Sequence, residues 1–222
     1  RTVVLDNDLT LEDGSFLPIP SFGGVFDGQD HAIRGIRISG SLSPAGLFGV
    51  VQTGGVVRDL RAEGAVTPEG DARNVGGIAG ENQGTIEDCS FTGTVSGKTN
   101  VGGIAGANMA AGSILHCQAD GAAAGEVMTG GIVGYNEGLA ASCENNAFVN
   151  VESTDPRIDL DDLTQALTMD LSALSRLNAG TSVTDTGGIA GYSAGTIADC
   201  VNHGAVGYQH IGYNTGGIVG RS

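Results

Sequence analysis

The sequence predicts an all-β fold: a right-handed, single-stranded parallel β-helix of about six to seven turns, with a short α-helical insert. Three observations lead to this prediction. A glycine-rich motif recurs along the chain, a second apolar motif recurs in phase with it, and glycine supplies 39 of the 222 residues. A unit of about 28 residues cannot bury its own apolar face, so each copy must stack on its neighbours. Crossovers between parallel strands favour the right-handed path.

The first element of each turn is a Gly-Gly-Ile motif followed two residues later by glycine. Its copies are spaced by 26, 28, 57 and 29 residues, and the interval of 57 is predicted to hold one turn plus an insert. We expect the glycines to occupy sharp corners with positive φ. The isoleucines of the five copies are predicted to form one inward ladder: Ile78, Ile104, Ile132, Ile189 and Ile218.

The second element is an Ile-x-x-Cys motif, and a Gly-x-Val segment follows it as the third. No Cys-x-x-Cys pair exists, so the cysteine spacing is that of the repeat rather than of a metal site. Leu60 and Ile36 are assigned to the same phase, which predicts an inward apolar position filled by free thiols. These thiols belong to Cys89, Cys117, Cys143 and Cys200.

An asparagine follows the first element at one corner of each turn. Stacked amides can hydrogen-bond along the axis of a β-helix, so a ladder is expected there. Its members are Asn82, Asn108 and Asn136.

The chain is predicted to be a single domain over residues 1–222, with residues 152–182 as an insert within one turn. Leucines at spacings of three and four, from Leu160 to Leu177, predict one helix or a helical hairpin packed on the flank of the β-helix. The alternative is a docking helix for a partner. Because Arg1 is not a natural start and the last glycine motif stops within a unit, the chain is expected to be a fragment of a longer protein.

At this point the unit from Val75 to Cys89 resembles the GLUG-motif repeat family of bacterial surface proteins. The segments Leu5–Leu11, Pro18–Pro20 and Phe26–Gly28 resemble the stretch that opens such arrays. The resemblance implies a repeat region rather than a catalytic site, and an extracellular or cell-surface location. Some members are attached to IgA-cleaving metallopeptidases, but this sequence has no His-Glu-x-x-His motif.

Composition and motifs exclude several functions. Asp and Glu number 25 against 10 Lys and Arg, which disfavours nucleic acid as a partner. No apolar run reaches the ~18 residues of a membrane span, so direct membrane insertion is not expected. No phosphate loop or zinc signature is present, and we predict no cofactor, no metal ligand and no catalytic residue.

One corner column could support other chemistry: Asp59, Asp88, His116, Ser142 and Asp199. Such carboxylates could bind Ca²⁺ or act as an acid–base set. The interpretation we favour is that Asp and Ser hydrogen-bond the backbone of their own turn.

Two sets of residues are candidate ligand contacts. Arg34 is predicted to stack over Arg58, and Arg37 over Arg61, so that a nearby anion would relieve their repulsion. This anion could be an external partner such as an acidic glycan, or Glu63 and Glu87 of the chain itself. Tyr135 and Tyr192 share an outward column and could support a sugar ring, but the interpretation we favour is that they pack on each other or under the predicted insert.

The function that the sequence favours is a non-catalytic structural or adhesive repeat region. Its partner would be a host or cell-wall glycan or a protein. The alternative is a polysaccharide-binding or polysaccharide-cleaving β-helix protein.

Overall fold

The chain forms a parallel β-solenoid of about six turns, as the sequence predicts. The computed structural model describes residues 1–12, 16–151, 184–207 and 213–222, and every strand pair in these ranges is parallel. The predicted helical insert at 152–182 lies outside the described residues. In the described ranges, no helix is long and apolar enough to cross a membrane.

The strands are short because each turn changes direction every few residues. In the first half of the chain they are β1 (Thr2–Val4), β2 (Leu9–Thr10), β3 (Ile19–Phe22), β4 (Val25–Ile38), β5 (Phe48–Val51), β6 (Val56–Val66), β7 (Arg73–Gly76), β8 (Ala79–Asn82), β9 (Thr85–Glu87), β10 (Ser90–Ser96), β11 (Thr99–Gly102) and β12 (Ala105–Asn108). In the second half they are β13 (Ser113–Leu115), β14 (Gln118–Ala124), β15 (Val127–Gly130), β16 (Val133–Asn136), β17 (Leu139–Ala141), β18 (Glu144–Asn145), β19 (Phe148–Val149), β20 (Thr184–Gly187), β21 (Ala190–Ser193), β22 (Thr196–Ala198), β23 (Val201–Asn202), β24 (Tyr213–Gly216) and β25 (Val219–Arg221).

These strands form three sheets along the axis. A thirteen-stranded sheet contains two rows that meet at β6: β9, β13, β17 and β22 in one, and β10, β14, β18 and β23 in the other. A five-stranded sheet contains β7, β11, β15, β20 and β24, and a seven-stranded sheet contains β3, β5, β8, β12, β16, β21 and β25. Equivalent residues of successive turns therefore lie side by side, about 4.8 Å apart.

The predicted isoleucine ladder forms the centre of the core. Ile78, Ile104, Ile132 and Ile189 are fully buried, Leu47 continues the column toward the N terminus, and Ile218 in the last turn is 40% exposed. Full burial of one such side chain is worth about 1.5–3 kcal/mol, so the ladder contributes strongly to stacking.

The glycines of the Gly-Gly-Ile motif do not have the positive φ that the sequence predicted. They are required because there is no space for a side chain. A Cβ on Gly103 would overlap the carbonyl oxygen of Gly131 and lie 2.7 Å from the Cβ of Ala119. Positive φ occurs instead in the glycine column of the third element, where Gly64 has φ 153° and Gly93 has φ 150°.

Two corner columns hold non-glycine residues in the left-handed region. The first has φ between 50° and 53° at Asp59, Asp88, His116, Ser142 and Asp199. The second has φ between 55° and 58° at Asn74, Asn100, Met128, Asp185 and Asn214. Asn and Asp tolerate this conformation better than most residues, which accounts for their recurrence. The second column was not predicted.

The predicted asparagine ladder is present and fully buried. Asn82 donates from Nδ2 to Oδ1 of Asn108 at 2.8 Å, and Asn108 donates in the same way to Asn136 at 2.8 Å. Asn136 donates to the hydroxyl of Ser193 at 3.1 Å, which ends the ladder.

A second amide contact, from Asn145 to Asn202 at 2.8 Å, was not predicted.

The turns differ slightly in length at the corner that follows the asparagine ladder. Two residues separate Asn82 from β9, whereas four separate Asn108 from β13, and strand register is the same on both sides. The two additional residues are accommodated in a turn in which Gly112 donates its N–H to the carbonyl of Met109 at 2.7 Å, with Ala110 and Ala111 exposed.

The first complete turn departs from the predicted register. Val25 pairs with Val56, His31 with Leu60, and Ile36 with Gly64, so the partner spacing falls from 31 to 29 to 28 residues along β4. Irregularities between Asp27 and His31 and between Ile33 and Ile36 cause these shifts. The assignment of Ile36 to the phase of Leu60 was therefore wrong, although Ile36 is fully buried.

Candidate functional site

The four candidate arginines lie on neighbouring strands but do not stack on one another. Arg34 and Arg37 belong to β4, and Arg58 and Arg61 belong to β6. The register places Arg58 beside Asp27, Arg61 beside Ala32, and Arg37 beside Ala65. The predicted pairing of Arg34 with Arg58 and of Arg37 with Arg61 was wrong, because the irregularities in β4 displace each arginine from its expected partner.

Acidic and carbonyl oxygens of the protein itself hold three of these arginines. The guanidinium of Arg34 contacts Oδ2 of Asp8 at 2.8 Å and Oε1 of Glu63 at 3.3 Å. The hydrogen bond from Arg34 holds the pKa of Asp8 well below its usual range. Oδ1 of Asp8 also accepts from the backbone N–H of Ala32 at 3.0 Å. Asp8 thereby fastens the N-terminal segment to β4.

Arg58 lies between two carboxylates whose environments differ. Its Nη2 atom is 2.7 Å from Oδ2 of Asp27, and its Nε atom is 3.7 Å from Oδ2 of Asp59. The hydrogen bond from Arg58 lowers the pKa of Asp27. Burial, with a further contribution from the charge of Asp27, raises the pKa of Asp59. The two carboxyls that flank Arg58 therefore have pKa shifts of opposite direction.

Arg61 donates to the backbone carbonyl of Asp30 from Nε at 2.8 Å and also from Nη2. Asp8, Asp27 and Asp30 were not predicted as arginine partners. Stacking at one-turn spacing could have indicated Asp27 for Arg58, but only with the correct register.

The acidic corner column does not form a metal site in the part of the chain that the structure describes. No cluster of three His, Cys, Asp or Glu side chains there could hold an ion. His116 Nδ1 lies 3.6 Å from Oδ1 of Asp88, with both side chains exposed. Among the hydrogen bonds of the described residues, none joins a side chain of this column to the backbone of its own turn, so the favoured interpretation was wrong. The column shares its left-handed backbone instead.

The two candidate tyrosines stack on each other along the axis. The ring centroids of Tyr135 and Tyr192 are 5.4 Å apart and the ring planes differ by 9°. On the opposite side Arg221 lies over Tyr192, with its guanidinium carbon 5.0 Å from the ring centroid. The Nη2 atom of Arg221 is 3.1 Å from the buried carboxylate of Asp185. Both faces of the Tyr192 ring are therefore occupied, and a sugar could reach only its edge.

The hydroxyl of Tyr135 donates to Oε1 of Glu137 at 2.6 Å. This hydrogen bond is the main reason that the pKa of Tyr135 rises to about 12.

The four cysteines are free, and all but Cys200 are buried. Each thiol contacts the carbonyl two residues earlier, as in Cys89 to Glu87 at 3.1 Å. Burial raises the pKa of Cys117, while the hydrogen bond with Cys117 and burial raise that of Cys143 to about 12. Since the thiolate is the reactive form, the column has the character of packing rather than of chemistry.

Comparison with known proteins confirms the repeat. The model of the GLUG motif matches residues 71–96, which include the first copy of the glycine-rich unit. Halomucin from Haloquadratum walsbyi (strain DSM 16790 / HBSQ001) is 36% identical over 118 residues, covering 47% of this chain. The match spans only 1% of Halomucin.

A solved structure shares the fold. The crystal structure of a candidate immunoglobulin A1 protease from Bacteroides ovatus aligns with a TM-score of 0.55 at 17% identity. The alignment covers 90% of this chain and 67% of the other. At this identity the similarity extends to the fold alone.

Proposed function

We propose that this chain is a non-catalytic structural and adhesive repeat region of a secreted or cell-surface protein. The observation that supports it is the continuity of the side-chain columns. Isoleucine, asparagine and cysteine occupy the same positions in successive turns, so each turn supports the next without closing around a pocket. Such a scaffold displays outward residues at fixed spacing.

The comparisons support the location and the class. The GLUG motif and the similarity to part of Halomucin fit a repeat region of an exposed protein. The excess of acidic residues, with a formal net charge of −15, fits a highly solvated surface.

A turn-deletion variant tests the structural part of this proposal. Removing residues 102–129 joins Val101 to Gly130, and Gly130 is the register partner of Gly102. A repeat scaffold should therefore fold cooperatively with one turn fewer, as measured by circular dichroism and urea titration. Loss of folding would contradict the idea that turns are interchangeable.

An adhesion assay tests the functional part. Microbeads coated with the chain should adhere to immobilised glycans or proteins of the cell wall or host. They should release no reducing ends from the glycans. Beads coated with the unfolded, carboxymethylated chain are the control. Equal retention of both bead types would remove the adhesive role.

The alternative is a polysaccharide-cleaving activity, and the opposite pKa shifts of Asp27 and Asp59 are the observation in its favour. If it is correct, the wild type releases reducing ends from acidic polysaccharides with multiple turnovers. Asp59→Asn should then abolish release, whereas Asp199→Asn, in the same corner column, should not.

A further inference from the structure

Cys143 and Cys200 occupy equivalent positions in successive turns, and their sulfur atoms have the same surroundings. Sγ of Cys143 is 3.3 Å from the carbonyl oxygen of Ala141 and 3.5 Å from that of Ile114, one turn earlier. Sγ of Cys200 makes the two equivalent contacts, one turn further on, at the same distances of 3.3 and 3.5 Å. The two sulfurs are therefore related by one turn of the solenoid and lie about 4.8 Å apart along its axis.

This separation matches a metal ion bound in line between two thiolates. A bond between a thiolate sulfur and a thiophilic metal ion is about 2.3 Å long. An ion midway between sulfurs about 4.8 Å apart would lie within ~0.2 Å of that length from each of them. Copper(I) and silver(I) prefer soft sulfur ligands, and their filled d shells accept two ligands in a linear arrangement.

The arrangement does not suit metal ions that need more ligands. In the described part of the chain, no group of three or more His, Cys, Asp or Glu side chains could hold a metal ion. Zn²⁺ is almost always four-coordinate in structural sites, so two sulfurs alone would not retain it. A pair of stacked thiolates therefore discriminates by coordination number as well as by softness.

Two features distinguish Cys143 and Cys200 from the other members of the column. Cys200 is only partly buried, whereas Cys89, Cys117 and Cys143 are buried, so a small ion has access at the Cys200 end. The backbone N–H of Cys143 also donates to Sγ of Cys200 at 3.4 Å, and a donor to sulfur favours the thiolate form. The formal net charge of −15 attracts cations to the molecule.

From these features we propose that Cys143 and Cys200 together bind one soft monovalent cation of the copper(I) type, with one thiolate on each side of the ion. Each thiol gives up its proton as its sulfur–metal bond forms, so binding of one ion releases two protons. The hydrogen bond with Cys117 and burial raise the pKa of Cys143 to about 12, so binding should strengthen as the pH rises toward that value. The site is separate from the structural role proposed above, and its test does not depend on that role.

Titration of the reduced chain with copper(I) buffered by bicinchoninate, in the absence of oxygen, tests the proposal. The wild-type chain should remove copper(I) from the chelator, and excess Zn²⁺ should not displace it. Cys143→Ser and Cys200→Ser should each weaken binding of the tightest ion at least about tenfold, because a hydroxyl is a poor ligand for a soft ion. Cys89→Ser removes a thiol of the same column outside the pair and should leave that affinity unchanged.

Two further measurements make the outcome decisive. X-ray absorption at the copper edge should show two sulfur neighbours at about 2.3 Å and no nitrogen or oxygen neighbour. Circular dichroism should show that the three serine variants are folded, so that a loss of binding reports on the ligands. Failure of the wild type to take copper(I) from the chelator would overturn the proposal. Equal weakening by Cys89→Ser and Cys200→Ser, or a copper ion with three or more ligands, would overturn it as well.

Discussion

Replacement of Asn108 by alanine should destabilise the protein far more than its removal of one amide would suggest. Asn108 is fully buried, accepts from Asn82 and donates to Asn136. In the variant, Oδ1 of Asn136 loses that donor, and the amide of Asn82 retains only the carbonyls of Gly84 and Ser113 at 3.3 and 3.1 Å. One orphaned acceptor and one weakened donor should together cost about 2–4 kcal/mol.

Asn108→Asp gives a sharper result because it depends on pH. The carboxylate can still accept from Asn82, but in the part of the chain that the structure describes no cation contacts this position, and the carboxylate cannot donate to Asn136 unless it is protonated. Burial should therefore raise the folded-state pKa of Asp at this position above its unfolded value. The variant should be most stable below pH ~4 and should lose stability as the pH rises through the raised pKa.

Urea titration followed by circular dichroism at pH 7 and pH 4 measures both effects. Gln118→Ala, which removes an exposed amide from β14, serves as the matched control and should change stability by less than about 0.5 kcal/mol. If Asn108→Ala costs no more than this control, the amide ladder does not stabilise the stack and the reasoning fails.

Three other predictions follow from the packing and the titrating groups. Gly103→Ala should cost about 1–3 kcal/mol by overpacking in chemical denaturation, whereas Gly217→Ala, where a Cβ meets nothing within 4 Å, should be nearly neutral. Ellman's reagent should detect four thiols in the unfolded protein and at most the partly exposed Cys200 in the native protein, and rapid modification of all four in the native state would contradict the buried column. In an ultraviolet titration Tyr135 should ionise at about pH 12. The stability from its hydrogen bond with Glu137 is therefore present below pH ~10 and is lost as the pH rises through 12. If Tyr135→Phe leaves the most alkaline step of the titration unchanged, the assignment of that step to Tyr135 is wrong.

The side-chain columns were predicted well because every copy of a sequence repeat adopts the same backbone geometry. Once Ile78 and Ile104 recur in one motif, stacking follows from their spacing, and the ladders of isoleucine and asparagine follow from stacking. Glycine recurs at equivalent positions of the repeat for two different physical reasons, and the sequence alone could not distinguish them. Gly103 is small because neighbouring backbone fills the space, whereas Gly93 is glycine because φ is positive. Both reasons lead to the same residue type in the sequence.

The arginine set was mispredicted for a different reason. Residues 25–38 contain two irregularities, with Gln29, Asp30 and Gly35 in the left-handed region. Each irregularity shifts the register of strand pairing but leaves the hydrophobic pattern of the sequence intact, because Ile33 and Ile36 are both buried. Pattern matching therefore placed the arginines over one another, whereas the fold places Asp27 beside Arg58. Which side chains meet at a site depends on the exact register of strand pairing, and this stretch of sequence does not specify that register.

The corner after Asn108 has a consequence for protein engineering. There the chain accommodates two more residues than at the equivalent corner after Asn82, yet the ladders above and below continue unbroken. A graft between Ala110 and Ala111 would leave the scaffold through an exposed turn closed by Met109 and Gly112. Equivalent grafts at the corners after Asn82 and Asn136 would present foreign loops in a row along the axis, one per turn. The molecule thus offers attachment points for short peptide loops at a spacing of about 4.8 Å.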